Sequence, residues 1–368
     1  MPASSNSSSL FSGTPIGQIV SGQFANNASY LPCDGTDYLA ASYPLLDTSG
    51  LLTYGSNAWT ARTLPVSQAW SAAVTGGGVT VAVSSTTGTT AARSTDNGAT
   101  WTSVTIPSGS YSAVDWNGAL FVAVGTNVCA TSPDGLTWTA RTIAAGNWCA
   151  IKWGGALWVV LTSSATTSYV TSPDAITWTT RTLLYGYQWS ALSYINAQFW
   201  AIPYYGGAND SIGTYMVSDD GITNWIAKSL PSSSVAWSAA VQLNGRIYIN
   251  QKVAGQTFVS TDGGSSWAAV AGIPQVYSLF LVNGYLMAPR YTGAGNSVCV
   301  SVDGLLYGVK QLPAAMGAGA MCATAAGVLI LPASTSAACA TLALDTTRFR
   351  TPRAQRVSDT DRFYIRAK

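Results

Sequence analysis

The sequence predicts an all-β fold: a seven-bladed β-propeller of four-stranded blades, closed by an N-terminal outer strand, with a small second domain built from both chain ends. Three observations predict it. Six Ser-x-Asp turns, each followed by an aromatic, recur along the chain, with Asp96, Asp134, Asp174, Asp220, Asp262 and Asp303 spaced by 38, 40, 46, 42 and 41 residues. A period near 40 is the length of one four-stranded blade. An aromatic-small-small triplet opens a strand ahead of most of these turns. Finally, the strand openings and the outer-strand aromatics are both seven in number, but the two counts are offset along the chain.

Each repeat reads in the same order. The openings are Trp70-Ser71-Ala72, Tyr111-Ser112-Ala113, Trp148-Cys149-Ala150, Trp189-Ser190-Ala191, Trp237-Ser238-Ala239, Tyr277-Ser278-Leu279 and Met321-Cys322-Ala323. A turn follows, three times as Asn-Gly (117–118, 244–245, 283–284), the strongest short hairpin signal. Apolar β-formers such as LFVAVG (120–125) give the second strand, and VCATS (128–132) typifies the third, which leads into the Asp turn. The fourth strand begins at an aromatic: Trp59, Trp101, Trp138, Trp178, Trp225, Trp267 or Tyr307. The chain thus starts with a lone outer strand (58–65) and ends with three strands that lack one (about 320–345). Together they make one blade, which leaves no unpaired edge in the ring.

The turns STDNGATW (94–101) and STDGGSSW (260–267) carry the full S-x-D-x-G-x-x-W pattern, and the other four carry variants of it. The repeat resembles the Asp-box, or BNR, family. That resemblance implies structural roles: each box Asp accepts backbone N–H bonds in its own hairpin, and each Trp packs between blades.

Residues 16–57 fall outside the repeat. YLPCDG (30–35), YPLL (43–46) and TYG (53–55) resemble the phage tail-collar domain, and that family's Phe-Arg segment appears only after the propeller, at Phe349-Arg350-Thr351-Pro352-Arg353. The family's Asp-Leu-Arg-Gly is Ala-Gln-Arg-Val here. Residues 16–57 with 346–368 are therefore expected to form a collar-like domain, its loop interrupted by the propeller at 58–345. Domain insertion of this kind needs a module whose ends lie close together. Residues 1–15 read as a flexible Ser-rich arm with neither the basic nor the apolar region of a signal peptide.

Composition narrows the function. Only 9% of residues are charged, against about 25% in an average domain. The net charge of +2 makes no electrostatic case for nucleic acid or an anionic membrane. No apolar run reaches the ~20 residues that span a bilayer. The chain has no His, and every one of its 15 acidic residues is Asp. Sialidases share the Asp-box propeller but need a Glu, and their early Phe-Arg-Ile-Pro is absent. Imidazole-based acid–base or nucleophilic chemistry is excluded. A carboxylate pair would have to come from Asp115, Asp210 and Asp219, the propeller Asp residues outside the turns. No metal ligand set and no cofactor is expected. The Cys residues read as small buried side chains, with neighbouring-blade disulfides Cys129–Cys149 and Cys299–Cys322 as a sharper alternative.

The longest repeat holds the best ligand candidates: Tyr204, Tyr205, Asn209 and Asp210 in its extra length, with Tyr185 and Tyr187 just before its inner strand. Exposed Tyr beside Asn and Asp suits stacking on sugar rings and bonding their hydroxyls. An ordinary long loop covering its own aromatics is the competing account. The collar resemblance implies a virion protein of a phage tail or fibre, made in the host cytoplasm and contacting other virion proteins. It also implies homo-oligomerisation, as a trimer by family analogy. A non-catalytic adhesin for a host-surface glycan is the expected function. The alternatives are a purely architectural decoration protein and a polysaccharide depolymerase.

Overall fold

In a computed structural model the described residues are 59–205, 213–232, 236–252, 255–270, 276–290, 297–301, 308–313, 318–332 and 334–343, with five short strands near the chain ends. The chain divides into two compact units, 57–343 and the two ends together, 1–56 with 344–368.

Residues 57–343 form seven four-stranded antiparallel blades in a ring, a β-propeller. Blade 1 runs outward through Trp70–Gly76, Val79–Ser84, Gly88–Ser94 and Thr102–Gly109. Blades 2 to 6 follow at 111–141, 148–182, 188–229, 237–269 and 280–311. Blade 7 takes Ala318–Thr324, Gly327–Pro332 and Ser336–Ala343 from the end of the ring and Thr60–Gln68 from its start. Thr341 pairs with Thr60 and Cys339 with Arg62, so the offset between the two counts of seven is the closure itself.

Strand alternation gives the ring two faces. Innermost strands begin on what we term the loop face; the inner hairpins and the Ser-x-Asp turns lie on the opposite, hairpin face. Asn244-Gly245 and Asn283-Gly284 both take left-handed φ at each residue, as a two-residue hairpin demands. Asn117-Gly118 does not. Its hairpin spans four residues between Trp116 and Phe121, and Asn117 Oδ1 instead accepts the Ala119 and Leu120 amides.

The opening triplet is a bulge. Pairing skips Ser71, Ser112, Cys149 and Ser190, so each aromatic and the residue two places on face adjacent positions of the second strand. The aromatic ties down the connection that delivers it: Trp70 Nε1 donates to Val66 O (3.3 Å), Tyr111 Oη to Pro107 O (2.8 Å) and Trp148 Nε1 to Ala144 O (2.8 Å). Two bulged residues reach the next blade: Ser71 Oγ donates to Tyr111 O at 2.6 Å, and Cys149 Sγ to Trp189 O at 3.2 Å. The triplet thus needs an aromatic and then a small hydroxyl or thiol. Two openings differ from expectation. The inner strand of blade 6 begins at Phe280, with Val276 bridged to Arg290 ahead of it, and that of blade 7 begins at Ala318, before Met321.

The core lies in layers between blades. One joins blades 4 and 5 through Trp200, Ile202, Tyr215, Trp237 and Ile249, all nearly or wholly buried. Burying one such aromatic removes about 150–250 Å² from water, roughly 4–6 kcal/mol at ~25 cal/mol/Å².

These layers explain the Cys residues. The five described ones are free, so the expected Cys129–Cys149 and Cys299–Cys322 bridges are not formed. Cys129 packs with Trp148 between blades 2 and 3, whereas Cys149 packs between blades 3 and 4. Cys299 lies between blades 5 and 6, while Cys322 turns towards Thr75 of blade 1. One blade separates the layers of the first pair and two separate those of the second.

In the unit formed by the chain ends, Phe363–Arg366 sits between Ile19–Ser21 and Tyr30–Pro32, and Asp37–Leu39 pairs with Arg348–Arg350.

Candidate functional site

The Ser-x-Asp turns are bonded internally. Asp96 Oδ1 accepts Thr100 N (2.8 Å) and Oδ2 accepts Thr100 Oγ1 (2.6 Å), while Ser94 Oγ donates to Asp96 Oδ1 and accepts Gly98 N. Asp134, Asp174 and Asp220 each accept two backbone amides at 2.8 Å, from 136 and 137, 176 and 177, and 222 and 223. Asp262 accepts Ser265 N, Ser266 N and Ser266 Oγ. These bonds favour the carboxylate. The Thr100 hydroxyl and amide hold Asp96 down at about 2, and Asp220 also falls to about 2 although burial opposes it. Asp134, Asp174 and Asp262 are lowered for the same reason. Asp303 and Tyr307 lie outside the described residues.

The turns also dock on the preceding blade. Tyr169 Oη of blade 3 donates to Gly221 O (3.1 Å), and Tyr215 Oη of blade 4 donates to Gly264 O (3.0 Å). Trp225 Nε1 donates to Tyr169 Oη, and Trp267 meets Tyr215 edge-on at 6.2 Å. Trp178 lies beside Cys129, and Trp101 beside Cys339. Trp101 and Trp138 donate to Gly98 O and Gly135 O in their own turns. Trp59 is buried at the start of the closing strand. Tyr169 and Tyr215 escaped the sequence reading, yet they occupy the third-strand slot that Cys129 and Cys339 share, whereas Cys299 lies one residue further along its strand and faces the other way.

The two loose propeller Asp residues that are described are both engaged. Asp115 is buried, ion-paired with Lys152 Nζ at 3.0 Å and bonded to Trp153 N at 2.9 Å, so it ties blade 2 to blade 3. Asp219 Oδ1 accepts Gln198 Nε2 at 2.6 Å. Asp210 lies outside the described residues, as does Asn209.

A cavity of about 1130 Å³ occupies the ring centre, lined by residues of six blades, among them Ser71, Lys152, Ser190, Ser238, Tyr277 and Met321. Among the described residues no carboxylate lines it. Two of the candidate tyrosines are exposed on the blade 4 side of the loop face, Tyr185 (37%) and Tyr204 (38%). Tyr185 stacks on Tyr187 at 5.2 Å, and Tyr187 leans on Trp189 and bonds Thr214 Oγ1. Tyr187 is therefore spent on packing, and Tyr185 extends its ladder to solvent. Lys252 Nζ of blade 5 lies over the Tyr204 ring, 4.5 Å from its centroid, and Lys252 lines the cavity. Tyr205 pairs through its backbone with Gln188.

No family model matches the chain, and no curated protein matches it. Solved structures do. YCF48 bound to D1 peptide matches with TM-score 0.62 and 14% identity, over 80% of this chain and 100% of that one. YCF48 from Cyanidioschyzon merolae gives 0.59 and 15%, over 77% and 99%. The WD40 β-propeller domain of Doa1 gives 0.56 and 12%, over 78% and 97%. At these identities the likeness is one of fold.

Proposed function

We propose that the chain is a virion protein of a phage tail or tail fibre, whose propeller is a non-catalytic adhesin for a glycan on the host surface. The observation that carries this reading is strand pairing between the chain ends. Asp37–Leu39, just after the YLPCDG segment, pairs with Arg348–Arg350, which carries the Phe-Arg of the collar pattern. Tyr30–Pro32 and Ile19–Ser21 both pair with the final strand. One small unit interrupted by a ring is the arrangement expected of a collar-like domain that displays an inserted propeller. The turn geometry supports the Asp-box reading in the same way, because each described Ser-x-Asp carboxylate is consumed by its own turn.

Binding is favoured over hydrolysis by where the acids are. Asp115 is ion-paired with Lys152, and the described residues of the cavity lining supply no carboxylate to pair as acid and base. Tyr185 and Tyr204 present the aromatic surface on which a sugar would stack.

The test is a glycan array probed with the purified full chain, alongside binding to intact host cells. Glycan-dependent binding without release of reducing ends is the expected result. A blank array and unbound cells would favour the decoration role, and hydrolysis lost on substituting Asp115, Asp210 or Asp219 would favour the depolymerase.

A further inference from the structure

On the loop face, the three connections of blade 3 are bonded into one surface, and all of their residues are described. Asn147, just ahead of the inner strand, accepts the Ser163 amide at its carbonyl (2.9 Å) and donates from Nδ2 to Ser164 Oγ (3.2 Å). The 163–167 turn in its turn holds the connection to blade 4. Thr167 O accepts the Leu183 amide (2.8 Å), and a Cβ at Gly186 would lie 3.2 Å from the Thr166 backbone. Ser163 and Asn147 are exposed, and Ser164, Thr166 and Thr167 are partly so.

Beside these hydroxyls stands an aromatic whose position is fixed. Tyr185 is exposed next to an exposed Leu184, and its ring lies within 16° of parallel to that of Tyr187. Tyr187 is held in place by Trp189 and the Thr214 hydroxyl. One face of the Tyr185 ring is therefore backed by protein, and a ligand that stacks on it need not pay to order it. Tyr204 differs, since its ring already carries the Lys252 ammonium.

Charge is missing from this surface. No Asp, Lys or Arg occurs in 142–148, 163–168 or 182–190. A charged sugar would give up hydration here and find no counter-ion in these segments. A neutral one would exchange water for hydroxyl and amide bonds and lay its C–H face on the ring.

We propose that the loop face of blade 3 is a subsite for an uncharged pyranose. Tyr185 stacks on the C–H face of the sugar, Ser163, Thr166 and Asn147 bond its hydroxyls, and Tyr187 is the positioning residue of Tyr185. This rests on the glycan reading above and names its class and its place.

Saturation-transfer NMR on the full chain tests it, with the methyl glycosides of glucose, galactose, N-acetylglucosamine and glucuronic acid as probes. At least one neutral glycoside should receive saturation at its ring C–H protons, and the glucuronide should bind about tenfold more weakly or not at all. Tyr185→Ala should weaken the neutral glycoside about tenfold, and Tyr185→Trp should retain it. Tyr187→Leu should weaken it too, whereas Tyr187→Phe, which keeps the ring, should not. Leu136→Ala, on the hairpin face, should leave binding unchanged. Melting temperatures of the variants separate lost binding from lost folding. Transfer to none of the probes, equal transfer to the glucuronide, or undiminished transfer with Tyr185→Ala overturns the subsite; undiminished transfer with Tyr187→Leu overturns the positioning role. The glycan array separates this failure from the larger one. Glycan binding there leaves the adhesin reading standing, and a blank array with unbound cells ends both.

Discussion

At the scale of single residues, the fit of turn to neighbouring blade is a matter of volume. Gly264 has φ +83°, and a Cβ there would come within 2.1 Å of Tyr215 Oη and 2.8 Å of Trp200. Blade 3 carries Ala175 at the equivalent turn position, with φ +58°, and the preceding blade offers Cys129 rather than Tyr at the facing slot. A small slot residue tolerates a methyl group in the turn, and a large one demands Gly. Gly264→Ala is therefore expected to cost about 2–4 kcal/mol from strain and overpacking. A double-mutant cycle with Tyr215→Cys, followed by chemical denaturation, should recover part of that loss. Tyr215→Phe alone, which leaves Gly264 O without its partner, should cost about 1 kcal/mol. The turn carboxylates make stability pH-dependent. Asp96 and Asp220 have folded values near 2 against 3.8 ordinarily, so their contribution is complete above about 4 and fades as pH falls through 2. Melting midpoints should decline with acidification across that window, and Asp96→Asn should flatten the decline.

At the scale of strands, the outermost ones are the weak members, being short and paired on one side only. Thr60–Gln68 and Thr102–Gly109 are longer, and Thr60–Gln68 is the exception in duty, because it alone among them joins distant parts of the chain. One of two adjacent residues in a strand points its N–H at the neighbouring ladder, so proline at both must remove a bond. Ala61→Pro with Arg62→Pro should therefore lower the melting temperature more than Ala140→Pro with Arg141→Pro, the matching change in blade 2. The first pair opens the ring and bares the edge of Ser336–Ala343; light scattering on heating should show earlier aggregation. Equal effects of the two pairs would argue that closure adds nothing beyond an ordinary outer strand.

For the molecule as a whole, the ring's two ends meet in one sheet, with Thr60 beside Thr341. A module joined in this way should fold without its host domain. Residues 57–343 made alone should keep the near-ultraviolet circular dichroism of the full chain and unfold in one cooperative calorimetric transition. A non-cooperative melt would mean that the end unit holds the ring shut. Thiol chemistry offers a second whole-molecule check. Burial pushes Cys129, Cys322 and Cys339 up to about 12 and Cys299 up to about 11. Under native conditions these should resist iodoacetamide, and all should react once the chain is unfolded, as mass spectrometry would show.

The blade number, the strand order within each blade, the closing strand and the role of the Ser-x-Asp turns were written in local patterns: a period near 40, an aromatic with two small residues, a turn with its Asp. Such features are legible because each arises within one repeat and recurs. What faces what across blades was not. That Cys129 and Cys149 look into different layers, that Tyr215 demands Gly264, and that Asp115 is held by Lys152 depend on pleat direction and on side chains a full blade apart. The contact of Lys252 with Tyr204 was equally hidden, since it forms only once the ring sets blade 5 beside blade 4. Periodicity carries the repeating backbone; the departures that distinguish one blade from the next acquire meaning only when the ring brings them to a common centre.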